Sequence, residues 1–164
     1  MARKLPFDPI DEAARQWSLR WEAVEEMHAV TSLMRAQQIV LGRLDEVLRP
    51  HGLTFARYEA LVLLTFSRAG ALPLGKMGER LQVHATSVTS IVDRLEGAGL
   101  VTRRRHPEDG RAVLAEITDA GRALVERATA DLVHSRFALT SLDPEQLAAL
   151  SDLLRPVRQD AGDF

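Results

Sequence analysis

The sequence predicts a mainly α-helical protein with one short β ribbon. Alanine, leucine, arginine and glutamate are abundant, whereas aromatic residues make up only 5% of the 164 residues, and such a composition favours helices. Apolar residues recur at three- and four-residue spacing, which is the period of an amphipathic helix. One stretch instead combines strand-like alternation with turn residues. The length and the 46% hydrophobic content fit a single domain over residues 1–164 with a real core.

The N-terminal part predicts two helices within residues 11–48. Asp11 is the expected N-cap of a short helix that places Trp17 and Trp21 one turn apart. Residues 24–48 then carry apolar residues in helical register, and Pro50 and Gly52 stop this helix. A helix this long needs apolar partners, so the pattern favours an intertwined homodimer.

The middle of the chain has the pattern of a helix-turn-helix. Thr54 is the expected cap of the preceding helix, in which we interpret Arg57 as a surface arginine, with a phosphate contact as the alternative. Residues 72–74 are expected to add a short strand. Residues 74–87 then have the shape of a first helix and a turn, and Lys76 is a candidate phosphate contact.

The next helix has the pattern of a DNA reader helix. Val88, Ile91, Val92 and Leu95 fall on one inward stripe. The opposite face carries short hydrogen-bonding side chains and one long cation, which suits close approach to another polar surface: Thr86, Thr89, Ser90, Asp93 and Arg94. Gly99 is the expected left-handed residue just past the helix end.

An arginine-rich ribbon follows directly. Two strands, at residues 100–105 and 112–117, flank a tip of six residues that holds Pro107 and the Asp109-Gly110 pair. The second strand carries apolar residues at alternate positions, which are expected to share its inward face: Val113, Ala115 and Ile117. Four cations surround the tip: Arg103, Arg104, Arg105 and Arg111. A helix with short polar side chains on its exposed face, followed by such a ribbon, is the layout of a winged helix-turn-helix. In this motif the helix enters the DNA major groove, and the wing reaches phosphates or the minor groove.

The C-terminal part predicts two further helices. Thr118 is the expected cap of the first, with an apolar line of Ala120, Leu124, Ala128, Leu132 and Phe137. Asp143, Pro144 and Gln146 make the start signal of the second. The predicted organisation is therefore a helical dimerisation base from residues 11–48 and 118–160, with a winged helix-turn-helix and a two- to three-stranded wing at residues 54–117.

Residues 93–122, DRLEGAGLVTRRRHPEDGRAVLAEITDAGR, resemble the signature of the multiple antibiotic resistance regulator (MarR) family. The elements that carry the resemblance are D-R-L-E, G-L-V, D-x-R and T-x-x-G, and a looser match covers residues 24–158. The family implies a dimeric regulator with one winged helix per subunit. The resemblance makes Arg111 the minor-groove arginine of the wing and Asp109 the residue that orients it. It places Thr86, Ser87, Thr89 and Ser90 toward the major groove and Arg94 toward the DNA backbone.

The resemblance also implies a small-molecule effector, often anionic or aromatic, bound between the base and the winged helix. From the family's geometry, the candidate pocket residues are Trp21, Met34, Arg35 and Tyr58. We interpret Trp17 and Trp21 as dimer packing, with an effector pocket as the alternative. The expected function is a homodimeric, ligand-responsive repressor of a near-palindromic double-stranded DNA operator.

Other classes of protein find little support in the sequence. There is no cysteine, which excludes disulfides and thiol-based switches. No two histidines have the spacing of a helical metal site, and no catalytic motif occurs, so we expect neither cofactor, metal nor catalysis. His84 and His106 instead flank the DNA-facing surface, and His84 is counted with Arg103 and Arg105 as a candidate DNA contact.

The charge and hydropathy patterns bear on partners and location. The net charge of −2 argues mildly against nucleic-acid binding, so the basic ribbon must act locally. No membrane span or signal peptide is evident, and we expect a cytoplasmic protein. The alternative function is a winged-helix module that contacts another protein and has no specific DNA target.

Overall fold

The computed structural model describes residues 5–107 and 112–164. Within them the chain forms seven α-helices, two short 3-10 turns and three β-strands, which confirms the mainly helical fold with a small sheet. The chain divides between Arg43 and Leu44 into two compact units. No helix in the described part of the chain combines the length and the apolar character that a membrane span requires.

The first unit contains α1, Pro9–Trp17, and most of α2. The predicted cap of α1 was wrong, because Asp8 rather than Asp11 caps the helix and accepts a 2.8 Å hydrogen bond from the Ile10 amide. Pro9 follows at the first helical position, where its fixed φ and missing N–H suit a helix start. Asp11 instead lies 2.9 Å from His28 Nε2.

The long helix α2 spans Val24–Leu48, which confirms the prediction. A 3-10 turn at Arg49–His51 follows, and Gly52 ends it with φ +70°. This left-handed conformation is one that glycine adopts without steric cost.

The second unit carries the remaining helices. They are α3, Phe55–Phe66; α4, Leu74–Leu81; α5, Ala85–Gly97; α6, Asp119–His134; and α7, Pro144–Asp160. Thr54 is the N-cap residue of α3 as predicted, but its side chain makes no capping bond. Asp45 takes over this role and accepts a 2.7 Å hydrogen bond from the Phe55 amide.

The sheet is antiparallel, with strands β1, Ala71–Pro73; β2, Val101–Arg105; and β3, Val113–Ile117, in the order β1-β3-β2. A third strand is thus confirmed, but one residue earlier than the predicted 72–74, because Leu74 already begins α4. The predicted alternation in β3 was wrong at its start, because Val113 is exposed and Leu114 is buried. Val113 pairs with Arg105 at the outer end of the ribbon, whereas Leu114 also pairs with Pro73 of β1. Pairing with β1 therefore extends the buried part of β3 as far as Leu114.

The core of this unit lies where α3 packs against α5, α6 and β3. Its fully buried side chains come from every one of these layers and from α4, and include Leu61, Leu64, Met77, Val92 and Leu132. The helix-turn-helix is therefore anchored to a continuous apolar core, which fixes the position of its exposed face.

The C-terminal helices begin as predicted. Thr118 caps α6 by accepting a 3.0 Å hydrogen bond from the Gly121 amide, and Asp143 and Gln146 form a capping box at α7. The predicted apolar line along α6 was wrong at both ends. Ala120 is exposed, and Phe137 lies beyond the helix end at His134 with φ +49°. The chain leaves the helical path there, so helical spacing no longer places Phe137 on the buried face.

Candidate nucleic-acid interface

The reader helix α5 presents the predicted polar face. Thr86, Ser87, Thr89, Ser90 and Arg94 are all exposed, whereas Val88, Val92 and Leu95 are buried, with at most 1% of their surface exposed. This division confirms the predicted orientation of the helix. It leaves small side chains on the outside, so another polar surface can approach the backbone closely.

Both ends of α5 are fixed by local hydrogen bonds. His84 is the N-cap, and its Nδ1 accepts from the Thr86 amide at 3.3 Å and lies 2.9 Å from Thr86 Oγ1. At the other end, the Gly99 amide donates to Glu96 O and the Leu100 amide donates to Leu95 O. Gly99 has φ +71°, and these two bonds form the predicted Schellman stop. The stop turns the chain directly into β2.

The first helix of the motif ends in a tight turn. Gln82 adopts a left-handed conformation at φ 52°, and the Val83 amide donates to Gly78 O at 3.2 Å. A Cβ added at Gly78 would lie 3.2 Å from Val83 O and 3.4 Å from Val88 Cγ2. A small residue at Gly78 therefore allows the start of α5 to lie close against α4.

Arg103 connects the wing to the reader helix. Its guanidinium donates to Asp93 Oδ1 at 2.6 Å, to Glu96 Oε2 at 2.5 Å and to Thr89 O at 3.3 Å. Burial lowers the pKa of Arg103, but the hydrogen bonds and charges of Asp93 and Glu96 outweigh it, so the net pKa lies above the ordinary value. Arg103 is therefore a charged bridge between β2 and α5, and its predicted contact with DNA stays a prediction.

The other ribbon and helix cations have different surroundings. Arg105 is exposed at the outer end of β2, as a DNA contact requires, whereas Arg104 pairs with Glu116 across the sheet. Lys76 is exposed and lies 2.8 Å from Glu79. Asp109 and Arg111, the predicted minor-groove pair, lie outside the described residues.

An open cleft of about 370 Å³ lies beside the exposed face of α5. It is lined by Thr54, Arg57, Ser90, Ile91 and Arg94. Two arginines, one from α3 and one from α5, thus line one space next to the polar face of the reader helix. Ile91, expected inward, is only partly buried because it forms part of this cleft wall.

Comparison with known proteins assigns the family. The MarR family model matches residues 56–113. The organic hydroperoxide resistance transcriptional regulator of Bacillus subtilis is 35% identical over 62% of this chain and 67% of its own length. The crystal structure of Sco5413, a MarR family transcriptional regulator from Streptomyces coelicolor, is 57% identical with a TM-score of 0.81, over 87% of this chain and 99% of that chain. The chain belongs to the MarR family.

A second structure of this family was solved with nucleic acid. Sco3205, a MarR family transcriptional regulator from Streptomyces coelicolor in complex with DNA, is 27% identical with a TM-score of 0.78. The similarity covers 86% of this chain and 90% of that chain. These relatives are transcriptional regulators, which supports the expectation that this MarR family chain is a regulator rather than an enzyme.

The four candidate effector residues of this MarR family chain lie in both units. In the first unit, Trp21 and Met34 are exposed, at 59% and 56%, and Arg35 is exposed as well. The Trp21 ring packs on Trp17 with 4.7 Å between centroids. In the second unit, Tyr58 is buried and its hydroxyl lies 2.9 Å from Thr129 Oγ1. Their role in binding an effector stays a prediction.

Sequence reasoning missed two features of this MarR family surface. It assigned Asp93 to the exposed face of α5 but did not connect Asp93 and Glu96 with Arg103. It also favoured a surface arginine at Arg57, whereas the structure places Arg57 in the same cleft as Arg94. The available signal for the first was that α5 carries two carboxylates, Asp93 and Glu96, and a single positive residue, Arg94, just before an arginine-rich strand. Among the described residues, no group of three histidine, aspartate or glutamate side chains could hold a metal ion.

Proposed function

We propose that this protein is a homodimeric, sequence-specific DNA-binding transcription regulator. The observation that carries the proposal is the exposed face of α5, where small hydroxyl side chains surround Arg94 while the opposite face is fixed in the core. Such side chains can donate to and accept from base edges in the major groove. The DNA complex of Sco3205, which is similar over most of its length, supports this interpretation.

The ion pairs of Arg103 support the proposal that the wing and the reader helix act as one rigid DNA-binding unit. Because Arg103 ties β2 to Asp93 and Glu96 of α5, the wing and the reader helix would approach DNA together. Arg105, and Arg111 as the predicted minor-groove arginine, would then contact phosphates or the minor groove beside the bases that α5 reads. Exposed groups such as Ser87 and Thr89 would face the bases.

Dimerisation would place two reader helices in successive major grooves. Exposed apolar side chains occur on α2, such as Val30 and Met34, and on α7, such as Leu153 and Val157. Exposed apolar surface of this kind commonly marks a protein interface. Two-fold symmetry would require half-sites centred about 10 base pairs apart in a near-palindromic operator, and occupancy of a promoter would repress it.

A small anionic or aromatic effector would release the protein from DNA. The effector would act by binding more tightly to a conformation whose reader helices fit the operator poorly. Trp21, Met34, Arg35 and Tyr58 are the candidate contacts. Trp21 provides a direct test, because its fluorescence should change on titration with aromatic carboxylates that also lower DNA affinity, and a Trp21→Phe variant should lose the fluorescence change.

The experiment that tests the DNA-binding proposal is selection of duplexes from a random pool, followed by footprinting. We expect a near-palindromic consensus with two protected major-groove segments about one helical turn apart. The Thr89→Ala variant should select an altered consensus, because Thr89 is exposed on the face that would meet the bases. Failure to enrich any sequence would contradict specific binding and would favour a winged-helix module for protein contact.

A further inference from the structure

The cleft between α3 and α5 lies at one end of the exposed stripe of the reader helix. Thr86, Ser90 and Arg94 are spaced four residues apart and therefore share one side of α5. Thr86 belongs to the first turn, and residues near the start of a recognition helix are the ones that contact base edges. Ser90 and Arg94 line the cleft, so the cleft adjoins the later turns of the helix, where the DNA backbone borders the major groove.

The side chain of Arg57 is held in place from both sides of its guanidinium. Its Nε donates to Thr54 Oγ1 at 3.1 Å, and one terminal nitrogen donates to Gly52 O at 3.2 Å. These two bonds use two of the five N–H donors of arginine. The remaining donors are available to a ligand from a side chain that is already ordered, which lowers the entropic cost of binding.

The Thr54 hydroxyl is available to orient Arg57 because Asp45 caps α3 in place of Thr54. A threonine at an N-cap normally accepts a hydrogen bond from the helix backbone, but the Phe55 amide donates to Asp45 Oδ1 instead. The Thr54 hydroxyl is thus engaged by Arg57 rather than by the start of α3. The capping function and the orienting function are divided between two side chains.

The chemistry of the cleft suits an oxyanion with several oxygens. The described residues that line it supply two guanidinium groups and two hydroxyl groups, and none of these lining residues is a carboxylate. Arginine presents a planar fork that matches phosphate oxygens. We propose that Arg57 and Arg94 together clamp one phosphate of the DNA backbone, with Thr54 as a positioning residue. The inference rests on the proposed function and adds a contact from α3, outside the helix-turn-helix.

The test is the salt dependence of duplex binding, measured by fluorescence anisotropy on the full-length protein. The variants are Arg57→Gln, Arg57→Lys and Thr54→Val, with Arg155→Gln on the exposed face of α7 as the control. Each phosphate contact contributes about 0.9 to the slope of log K against log salt concentration. Because Arg94 still contacts the same phosphate in Arg57→Gln, a dimer of this variant should lose up to about 1.8 from the slope, which corresponds to up to about 30-fold weaker binding at 0.15 M salt when extrapolated from 1 M.

The other variants separate the effect of the positive charge at residue 57 from the effect of the position of its side chain. Arg57→Lys should keep most of the slope while losing affinity, because an ammonium lacks the fork of two parallel donors. Thr54→Val should weaken binding without changing the melting temperature, since the cap of α3 is Asp45. The control should behave as the wild type. The same loss of slope should occur on a scrambled duplex, because a phosphate contact carries no sequence information.

Several outcomes would overturn the clamp. A wild-type slope for Arg57→Gln, on a wild-type protein that binds DNA, would refute this inference alone. Stabilisation of the wild type by inorganic phosphate at constant ionic strength, lost in Arg57→Gln while the DNA slope is unchanged, would assign the cleft to a free anion instead. Absence of any salt-dependent binding by the wild type would refute the proposed function itself.

Discussion

Gly121, at the start of α6, is expected to tolerate no side chain. A Cβ built there would overlap the carbonyl oxygen of Leu100 and would lie 2.8 Å from Ile117 Cγ1, whereas ordinary contacts begin at 3.4 Å. Leu100 O also accepts a 3.0 Å hydrogen bond from the Thr118 amide, so this carbonyl cannot move without disturbing the junction of wing and helix. This close approach explains why glycine follows Thr118 by three residues.

The magnitude of Gly121→Ala follows from two opposing effects. Alanine would gain up to about 1 kcal/mol in helix propensity, but overpacking against a fixed backbone costs about 1–3 kcal/mol or more. With backbone rather than a flexible side chain as the obstacle, we place the clash at about 3 kcal/mol or above. The net loss is then about 2 kcal/mol, or about 4–8 °C in melting temperature for a chain of this size.

The assay is urea unfolding followed by far-UV circular dichroism at fixed protein concentration, since the proposed dimerisation would make stability concentration-dependent. Gly97→Ala is the matched control, because Gly97 is also helical and nothing lies within 4 Å of its added Cβ. It should stabilise the protein by up to about 1 kcal/mol. Equal stability of Gly121→Ala and Gly97→Ala would refute the close-approach argument.

Three further changes probe the wing, the turn and the carboxylate of Glu59. Arg103→Met should lower the melting temperature at low salt by more than at high salt, because Asp93 and Glu96 would lose their partner; an equal loss at both would argue against an ionic bridge. Gly78→Ala should stabilise the protein by about 0.5 kcal/mol, as helix propensity exceeds the slight crowding at Val83 O; a large loss in thermal unfolding would show that the turn cannot adjust. Desolvation by neighbouring groups raises the pKa of Glu59, although the residue keeps an exposed surface. Its neutral carboxyl is therefore tolerated in the folded state at low pH, and this advantage is lost as pH rises through the raised value. Glu59→Gln should gain melting temperature over the wild type at pH 7 but not at pH 4, and an equal difference at both would contradict the shift.

Sequence periodicity predicted the elements that are governed by local rules. The bounds of α2, the Schellman stop at Gly99 and the capping box at Asp143 all depend on residues within one or two turns of one another. Errors arose where a neighbouring residue competed for the same role. Asp8 displaced Asp11 because Pro9 offered an earlier start, and Asp45 displaced the Thr54 side chain from across a ten-residue separation.

The candidate site was only partly predictable for the same reason. The polar face of α5 follows from helical spacing within one segment, so its membership was correct. The partners of Arg103 and the cleft shared by Arg57 and Arg94 depend on how separate elements pack, and helical or strand periods carry no such distances. The basic run of the ribbon therefore gave no indication that Arg103 forms ion pairs with Asp93 and Glu96 of α5.

The most direct test of the regulatory account is an anisotropy titration of the wild-type protein against the duplex upstream of its own gene and against a scrambled duplex of equal composition. Specific recognition predicts tighter binding to the upstream duplex, with two subunits per site and a steep decrease in affinity as salt increases. Equal affinity for the two duplexes, or no binding to either, would contradict it.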